Sequence, residues 1–397
     1  MDAWTRERRR QEIIRLCHAG HDLPTLFREM ARLLHRAIPF EAACFHTLDP
    51  ATLLETSHVV VNLPVENPRA AEIEYLHEDF NQFATLARAQ RRSGILSEAT
   101  GGAPERSRRY RELIRPFELH GELRAALVTD SLCWGALGLL RRPASGDFTP
   151  AEAAFLHEVS GYLAQGVRTA LLMQAAAAND VASEGPGLIL LDKQQRIEAI
   201  TTAAERLLAE VVDSSAAGVG PQPLPYVVYA VATRARLAGQ PDGSEAMARA
   251  RVRTRSGQWL ILHGSLTAGE PAGRTAVIVE RAQAVTIAPL IVQAYGLSER
   301  ERQVMQFMLQ GLSTKEIAAE LYISPYTVQD HFKAIFDKVG VRSRRELVGQ
   351  VFFQHYQPRA QAGAAPSPSG WFADLAGAAN GTIPPINPIA APGHTRR

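Results

Sequence analysis

GLSERERQVMQFMLQGLSTKEIAAELYISPYTVQDHFKAIFDKVGVRSRRELVGQVFFQHY, residues 296–356, decides how the last part of this chain folds. Four helix starts stand in it. Ser298 with Glu301, Ser313 with Glu316 and Ser343 with Glu346 each have the spacing of a capping box. In that motif the Ser oxygen accepts from a free N–H of the first turn, and the Glu carboxylate accepts from the backbone N–H of the cap. Ser324 followed by Pro325 is a start of a different kind, a cap and then a proline at the first helical position. Gly311 and Gly340 stand where helices should stop, because glycine tolerates the left-handed terminal conformation. Each cap contributes about 1 kcal/mol, and their agreement over so short a stretch predicts a four-helix unit from Leu297 to about Phe353.

The third helix, Pro325 to Val339, carries the functional expectation. Val328, Phe332, Ile335, Phe336 and Val339 form one apolar stripe at helical spacing and should pack on the other helices. The opposite side presents Tyr326, Asp330, Lys333, Ala334 and Asp337, with Gln329 on the flank. A half-buried helix preceded by a short helix and the tight link Leu321-Tyr322-Ile323-Ser324 is built to enter a major groove. Double-stranded DNA is therefore the expected partner. The chain has a formal charge of only +2, so bulk charge argues nothing. The basic residues Lys333, Lys338, Arg342, Arg344 and Arg345 are instead gathered around this helix.

Upstream the period changes. Five short strands are expected at Gly187–Leu191, Ile197–Ile200, Ala250–Thr254, Gln258–Ser265 and Thr275–Glu280, with a helix at Ala203–Val211. Further back, strands are expected at Phe40–Leu48 and Glu55–Leu63, then helical residues at 69–92 and a loop at Ser97–Pro104. A hairpin follows at Leu123–Thr129 and Cys133–Leu140. Thr149-Pro150 opens a long helix, and residues 4–38 read as two helices broken at Ala19–Asp22.

The fold class is therefore multidomain α+β, two mixed α/β domains followed by an all-α helix-turn-helix domain, and the resemblances given below imply that the first two are of sensor type. The expected divisions are an N-terminal helix at 1–19, a first domain at 20–175, a second at 184–282, a linker at 283–296, the helix-turn-helix at 297–357 and a disordered tail at 358–397. The tail is rich in Pro, Gly, Ala and Ser and holds too little apolar surface to fold.

Three families are resembled. The segment GLSTKEIAAELYISPYTVQDHFKAIFDKVGVRSRREL closely resembles the LuxR-type (GerE-like) DNA-binding domain. The resemblance implies that Gln329, Asp330 and Lys333 reach bases, just after the Thr327-Val328 that opens the recognition helix. Gln329 departs from the lysine frequent there. Resemblance and charge together make Lys315, Thr327, Lys338, Arg342, Ser343 and Arg345 candidates for phosphate contact. The family pairs through its fourth helix, so Val348, Val351 and Phe352 are candidates for a homodimer contact or for the monomer core. Residues 20–170 resemble a GAF domain through LRAALVTDSLCWGALGLLRRPASGDFTPAEAAFLHEVSGYLAQGV, without the family's cyclic-nucleotide signature. GLILLDKQQRIEAITTAAERLLAEV resembles the opening of a PAS domain. Such domains hold small ligands or pair subunits, and either role is open here.

Other classes are disfavoured. There is no Walker-type loop, H-E-x-x-H, paired C-x-x-C or G-x-S-x-G, so no catalytic residue is assigned and no enzyme is expected. No metal or cofactor is expected, since the twelve histidines are scattered and Cys17, Cys44 and Cys133 read as reduced thiols. His157 and His120 read as ordinary polar or core residues. No apolar run spans a bilayer and no signal core follows Met1, so a cytoplasmic regulator without membrane contact is expected, with RNA polymerase as a further partner.

Overall fold

A computed structural model describes residues 2–63, 68–173, 185–211, 224–239, 247–268, 273–282, 295–309, 312–339 and 341–347. The tail from 358, the linker from 283 to 294, Gly311, Gly340, Val348, Val351 and Phe352 lie outside the described residues. The described chain is mixed α/β, with two antiparallel sheets and a helical C-terminal unit.

Helix α1 (Ala3–Cys17) and α2 (Leu23–Ala37) start on Asp2 and Asp22. Each carboxylate accepts from the N–H three residues on, at 2.8 Å. The first sheet holds β1 (Ala42–Leu48), β2 (Glu55–Val61), β3 (Ser93–Ile95), β4 (Gly121–Thr129) and β5 (Leu132–Arg141) in the order β2-β1-β5-β4-β3. The long helix α6 (Pro150–Met173) starts where expected, with Thr149 N–H donating to Glu152 at 2.8 Å and Glu152 N–H to Thr149 Oγ1 at 3.3 Å. One face of the sheet packs under α1, α2 and α6 around Phe27, Met30, Leu34, Trp134, Phe155 and Leu163. Ile13, Leu16 and Cys17 belong to this same core. The boundary placed at residue 19 therefore separates nothing, because α1 buries its apolar side in the unit that follows.

Two local expectations are corrected. The helical stretch expected at 69–92 is broken into α3 (Pro68–Tyr75) and α4 (Phe83–Arg88), with Asn81 between them at φ 53°. The loop expected at Ser97–Pro104 instead begins as helix α5 (Leu96–Thr100), which ends at Gly101 with φ 67°. Edge strand β3, only three residues long, was not foreseen.

The second sheet holds β6 (Gly187–Leu191), β7 (Ile197–Ile200), β8 (Arg249–Arg253), β9 (Trp259–Leu266) and β10 (Thr275–Arg281) in the order β7-β6-β10-β9-β8. All five strands fall where the sequence places them. Numbered within its own unit, each sheet runs 2-1-5-4-3, so the two units share one strand order. Helix α7 (Thr202–Ala209) and helix α8 (Tyr226–Ala238) complete the second unit.

The two units are packed on each other. Leu54 and Ala71 of the first lie fully buried in the core of the second, beside Val227, Val228 and Val231 of α8. Arg251 of β8 grips Asp49 with Nε–Oδ2 2.9 Å, Nη2–Oδ1 2.7 Å and backbone N–Oδ2 3.0 Å. Both side chains are 0% exposed. Burial pushes the Asp49 carboxyl up, but the Arg251 guanidinium outweighs it and holds the group below its usual range. Arg236 adds a 2.6 Å pair with Glu72 across the same boundary.

Candidate functional site

The C-terminal unit is built from α9 (Glu299–Leu309), α10 (Thr314–Glu320), α11 (Pro325–Val339) and α12, described over Arg344–Leu347. The caps place these helices. Ser298 N–H donates to Glu301 at 2.6 Å while Glu301 N–H donates to Ser298 Oγ at 3.3 Å. Ser313 and Glu316 repeat the pair at 2.6 and 3.3 Å. Thr327 N–H donates to Ser324 Oγ at 3.1 Å. At the fourth helix only half of the box is as expected. Glu346 N–H donates to Ser343 Oγ at 3.2 Å, but the Glu346 carboxylate accepts from Arg342 N–H at 2.9 Å, one residue further out.

Val328, Phe332, Ile335 and Val339 are buried with Leu297, Met305 and Ile317, and Phe336 packs at the edge of that core. Phe332 and Phe336 stack with ring centroids 6.0 Å apart and planes 7° from parallel. Burying this stripe turns Gln329, Asp330 and Lys333 outward, all three exposed. Lys333 Nζ lies 3.8 Å from Asp330 Oδ1, with both side chains 78% exposed. Such a pair is weak in water and leaves the ammonium available. Lys315, Thr327, Arg342 and Ser343 are also exposed, and the side chain of Arg345 lies outside the described residues.

Two basic residues of this region serve the domain itself. Arg344 donates to the Met308 carbonyl at 3.2 Å and the Leu312 carbonyl at 2.7 Å, closing the end of α9. Lys338 Nζ lies 2.7 and 3.0 Å from the two Glu301 oxygens and 3.2 Å from the Gly296 carbonyl. The phosphate contact expected of Lys338 would have to compete with a carboxylate and a carbonyl that hold the ammonium within the unit. Lys338→Ala is thus expected to lower the stability of the domain by about 1 kcal/mol near neutral pH, a figure kept small because Lys338 is partly exposed. Burial pushes the Glu301 carboxyl up, but Lys338 and the Ser298 N–H bring it below its ordinary 4.5. A depressed carboxyl contributes its stability above the unfolded value and loses it as pH falls through the folded one. The gap between wild type and Lys338→Ala should therefore close below pH 4.5. Urea melts on either side of that pH check this, and a lowered salt slope of DNA affinity with unchanged stability would restore the phosphate role.

Two exposed aromatics stand beside these residues. Tyr322, in the link, is 95% exposed, and Tyr326, in the first turn of α11, is 81% exposed. Tyr322 also has φ 55°, a left-handed conformation that a bulky side chain rarely takes. The signal in the sequence was two aromatics among residues that cap and turn.

The first unit carries a second concentration of polar groups. On the sheet face away from α1, α2 and α6, a cavity of about 230 Å³ is lined by His46, Glu55, His58, Arg109, Arg124 and, from the second unit, Tyr226. Metal-binding residues were not expected, yet His46, Glu55 and His58 bring their donor atoms within 4.8 Å of one another. Cys17 and Cys133 are buried free thiols, pushed up to about 12 by burial. His157 Nδ1 accepts from Arg92 N–H at 3.1 Å and His120 Nδ1 lies 2.9 Å from the Tyr110 hydroxyl, both ordinary polar contacts. Among the described residues no helix is long and apolar enough to cross a membrane.

Comparison with known proteins bears on the C-terminal unit. Residues 296–351 match the family described as bacterial regulatory proteins, luxR family. The transcriptional regulatory protein UhpA of Escherichia coli (strain K12) is 46% identical over 56 residues, which are 14% of this chain and 29% of UhpA. The spore germination protein GerE of Bacillus subtilis (strain 168) is 44% identical over 55 residues, which are 14% of this chain and 74% of GerE. A solved GAF domain/HD domain protein from Geobacter sulfurreducens aligns with 38% of this chain and 97% of its own, at 18% identity and a TM-score of 0.29, too weak a likeness to assign a fold. With 74% of GerE matched at 44% identity, the chain belongs to the luxR family of bacterial regulatory proteins.

Proposed function

We propose that this chain is a sequence-specific DNA-binding regulator of transcription that lays α11 in the major groove of a promoter or operator. The observation that carries the reading is the outward display of Gln329, Asp330 and Lys333 on a helix whose opposite stripe is packed on the other helices. Gln is suited to adenine, Lys to guanine O6 and N7, and Asp to the cytosine amino group. Asp330 repels phosphate, so it selects rather than anchors. Lys315, Thr327, Arg342 and Ser343 then position the backbone, with Arg345 and the exposed rings of Tyr322 and Tyr326 beside them. The unit acts as a four-helix helix-turn-helix in a homodimer paired through Val348, Val351 and Phe352, in the cytoplasm, with RNA polymerase as its downstream partner. It is not an enzyme.

The first two units act as GAF-like and PAS-like sensor domains that bias the dimer state of the third. A ligand does this only through different affinities for two states. The cavity walled by both units, apolar over most of its lining with charged groups at one side, supports ligand sensing. The fully buried Asp49–Arg251 pair supports a second reading, in which the two units are a structural dimerisation body.

Selection from random duplexes followed by fluorescence anisotropy across salt tests the DNA reading. Lys333→Ala is expected to lose about 1–3 kcal/mol of discrimination at one base pair. Lys315→Ala should weaken all sequences alike and lower the salt slope by about one unit. Unchanged affinity and unchanged discrimination in Gln329→Ala, Asp330→Ala and Lys333→Ala would sink it.

A further inference from the structure

The cavity bordered by β1 and β2 contains a constellation that their strand register assembles. His46 of β1 and His58 of β2 are direct cross-strand partners, so both project from one face. Glu55 lies three residues before His58, and regular strand alternation would turn it to the opposite face. The register slips at this point. Thr47 faces Ser57 and Leu48 faces Glu55, which leaves Thr56 as an extra residue in β2. This β-bulge restores Glu55 to the side of the histidines. Thr56 joins Ser57 on the other face, where its hydroxyl lies 2.7 Å from Thr47 Oγ1.

His46 Nδ1 is 2.7 Å and His58 Nδ1 is 3.0 Å from the same oxygen, Glu55 Oε1. The three residues are buried. His46 Nδ1, although so close to the carboxylate, makes no hydrogen bond of acceptable geometry. His58 Nδ1 is hydrogen-bonded to Glu55 Oε1, so the His46 nitrogen is the one aimed at that shared oxygen without alignment, and two imidazole nitrogens converging on one carboxylate oxygen is the arrangement that ligands of a shared ion take.

We propose that His46, Glu55 and His58 form a three-ligand site for a divalent first-row transition metal ion. Two imidazoles and one carboxylate suit Zn²⁺ or Fe²⁺, whereas Mg²⁺ and Ca²⁺ prefer all-oxygen sets. Three protein ligands leave at least one coordination position open, and here it faces the 230 Å³ cavity. Across that cavity Arg109 presents Nη1, buried without a hydrogen bond and 3.8 Å from the Asp79 carboxylate. Arg109 and Arg124 of the cavity wall are paired with Glu122 and Glu74 of the same wall, so an exogenous ligand on the ion enters a pocket whose charges are largely matched. Tyr226 of α8 borders the same space, its ring 5.7 Å from that of His58, so the ion sits where the two N-terminal units meet.

The test uses the full-length chain, stripped with chelator and titrated with Co²⁺. One ion per chain, with visible d–d absorption that Zn²⁺ abolishes, is expected. His46→Ala, His58→Ala and Glu55→Gln should each weaken Co²⁺ binding on the order of a hundredfold or more, since loss of an outer partner alone costs about 10–100-fold. Thermal melts of each variant separate a lost ligand from a lost fold. If an alanine variant does not fold, His58→Gln, which keeps a neutral polar side chain, carries the same expectation. Absence of stoichiometric uptake by the wild type, or equal uptake by folded ligand variants, overturns the site.

Discussion

Asp49→Ala should destabilise the N-terminal pair of units by about 3–5 kcal/mol, the cost of leaving a buried charge without its partner. Asp49 and Arg251 are both 0% exposed, and the guanidinium meets the carboxylate with two near-parallel bonds of 2.7 and 2.9 Å. Removing the carboxylate takes the Asp49 counter-charge from a guanidinium that water does not reach. By contrast, the Arg6–Glu158 pair, with side chains 39% and 36% exposed, should contribute about 0–1 kcal/mol. Replacing both partners with apolar residues, as in Asp49→Leu with Arg251→Met, should recover much of the loss, because the desolvation penalty disappears with the charges. Urea denaturation of the single and double variants measures this. A loss under about 1 kcal/mol for Asp49→Ala would place the pair in contact with solvent.

Phe332→Ala should be nearly as damaging, and its damage is confined to the C-terminal unit. Truncating a buried Phe costs about 3–5 kcal/mol. A single core of this size rarely supplies more than about 3–5 kcal/mol in total. The helix-turn-helix should therefore be largely unfolded while the N-terminal units keep their own transition. DNA affinity should fall with the folded fraction, for every sequence alike. Its chain neighbour Lys333 lies on the exposed face, so Lys333→Ala should leave the melt unchanged and alter only the readout. Circular dichroism melts beside anisotropy distinguish the two. A Phe332→Ala chain that melts like wild type would contradict the packing of α11.

The contrast between those neighbours shows what was legible in the sequence. Helix starts are local, since Ser298, Ser313 and Ser324 each bond within three residues, and so they were readable. The stripe of Val328, Phe332, Ile335 and Val339 was readable for the same reason, because period alone defines it. The strands of both sheets were also readable, the three-residue edge strand β3 excepted. What was not legible depends on partners far along the chain. Lys338 looked like a free basic residue until Glu301, 37 positions earlier, was placed beside it. Residues 1–19 looked like an appendage until α6 covered them. The twelve histidines looked scattered because a bulge has no signature in period-two counting. Only the register of β1 against β2 puts Glu55 on the side of His58.

The Asp49–Arg251 pair also has a consequence in time. Its members are 202 residues apart in the chain. At about 5–20 residues per second of synthesis, roughly 10–40 s separate the emergence of the carboxylate from that of the guanidinium. In the later part of that interval, once the long helix ending at Met173 is made, the first unit exists with Leu54 and Ala71 uncovered and with Asp49 hydrated. The nascent chain therefore carries an apolar patch that only its own later segment closes, and chaperone dependence during translation should track the delay before β8 is made.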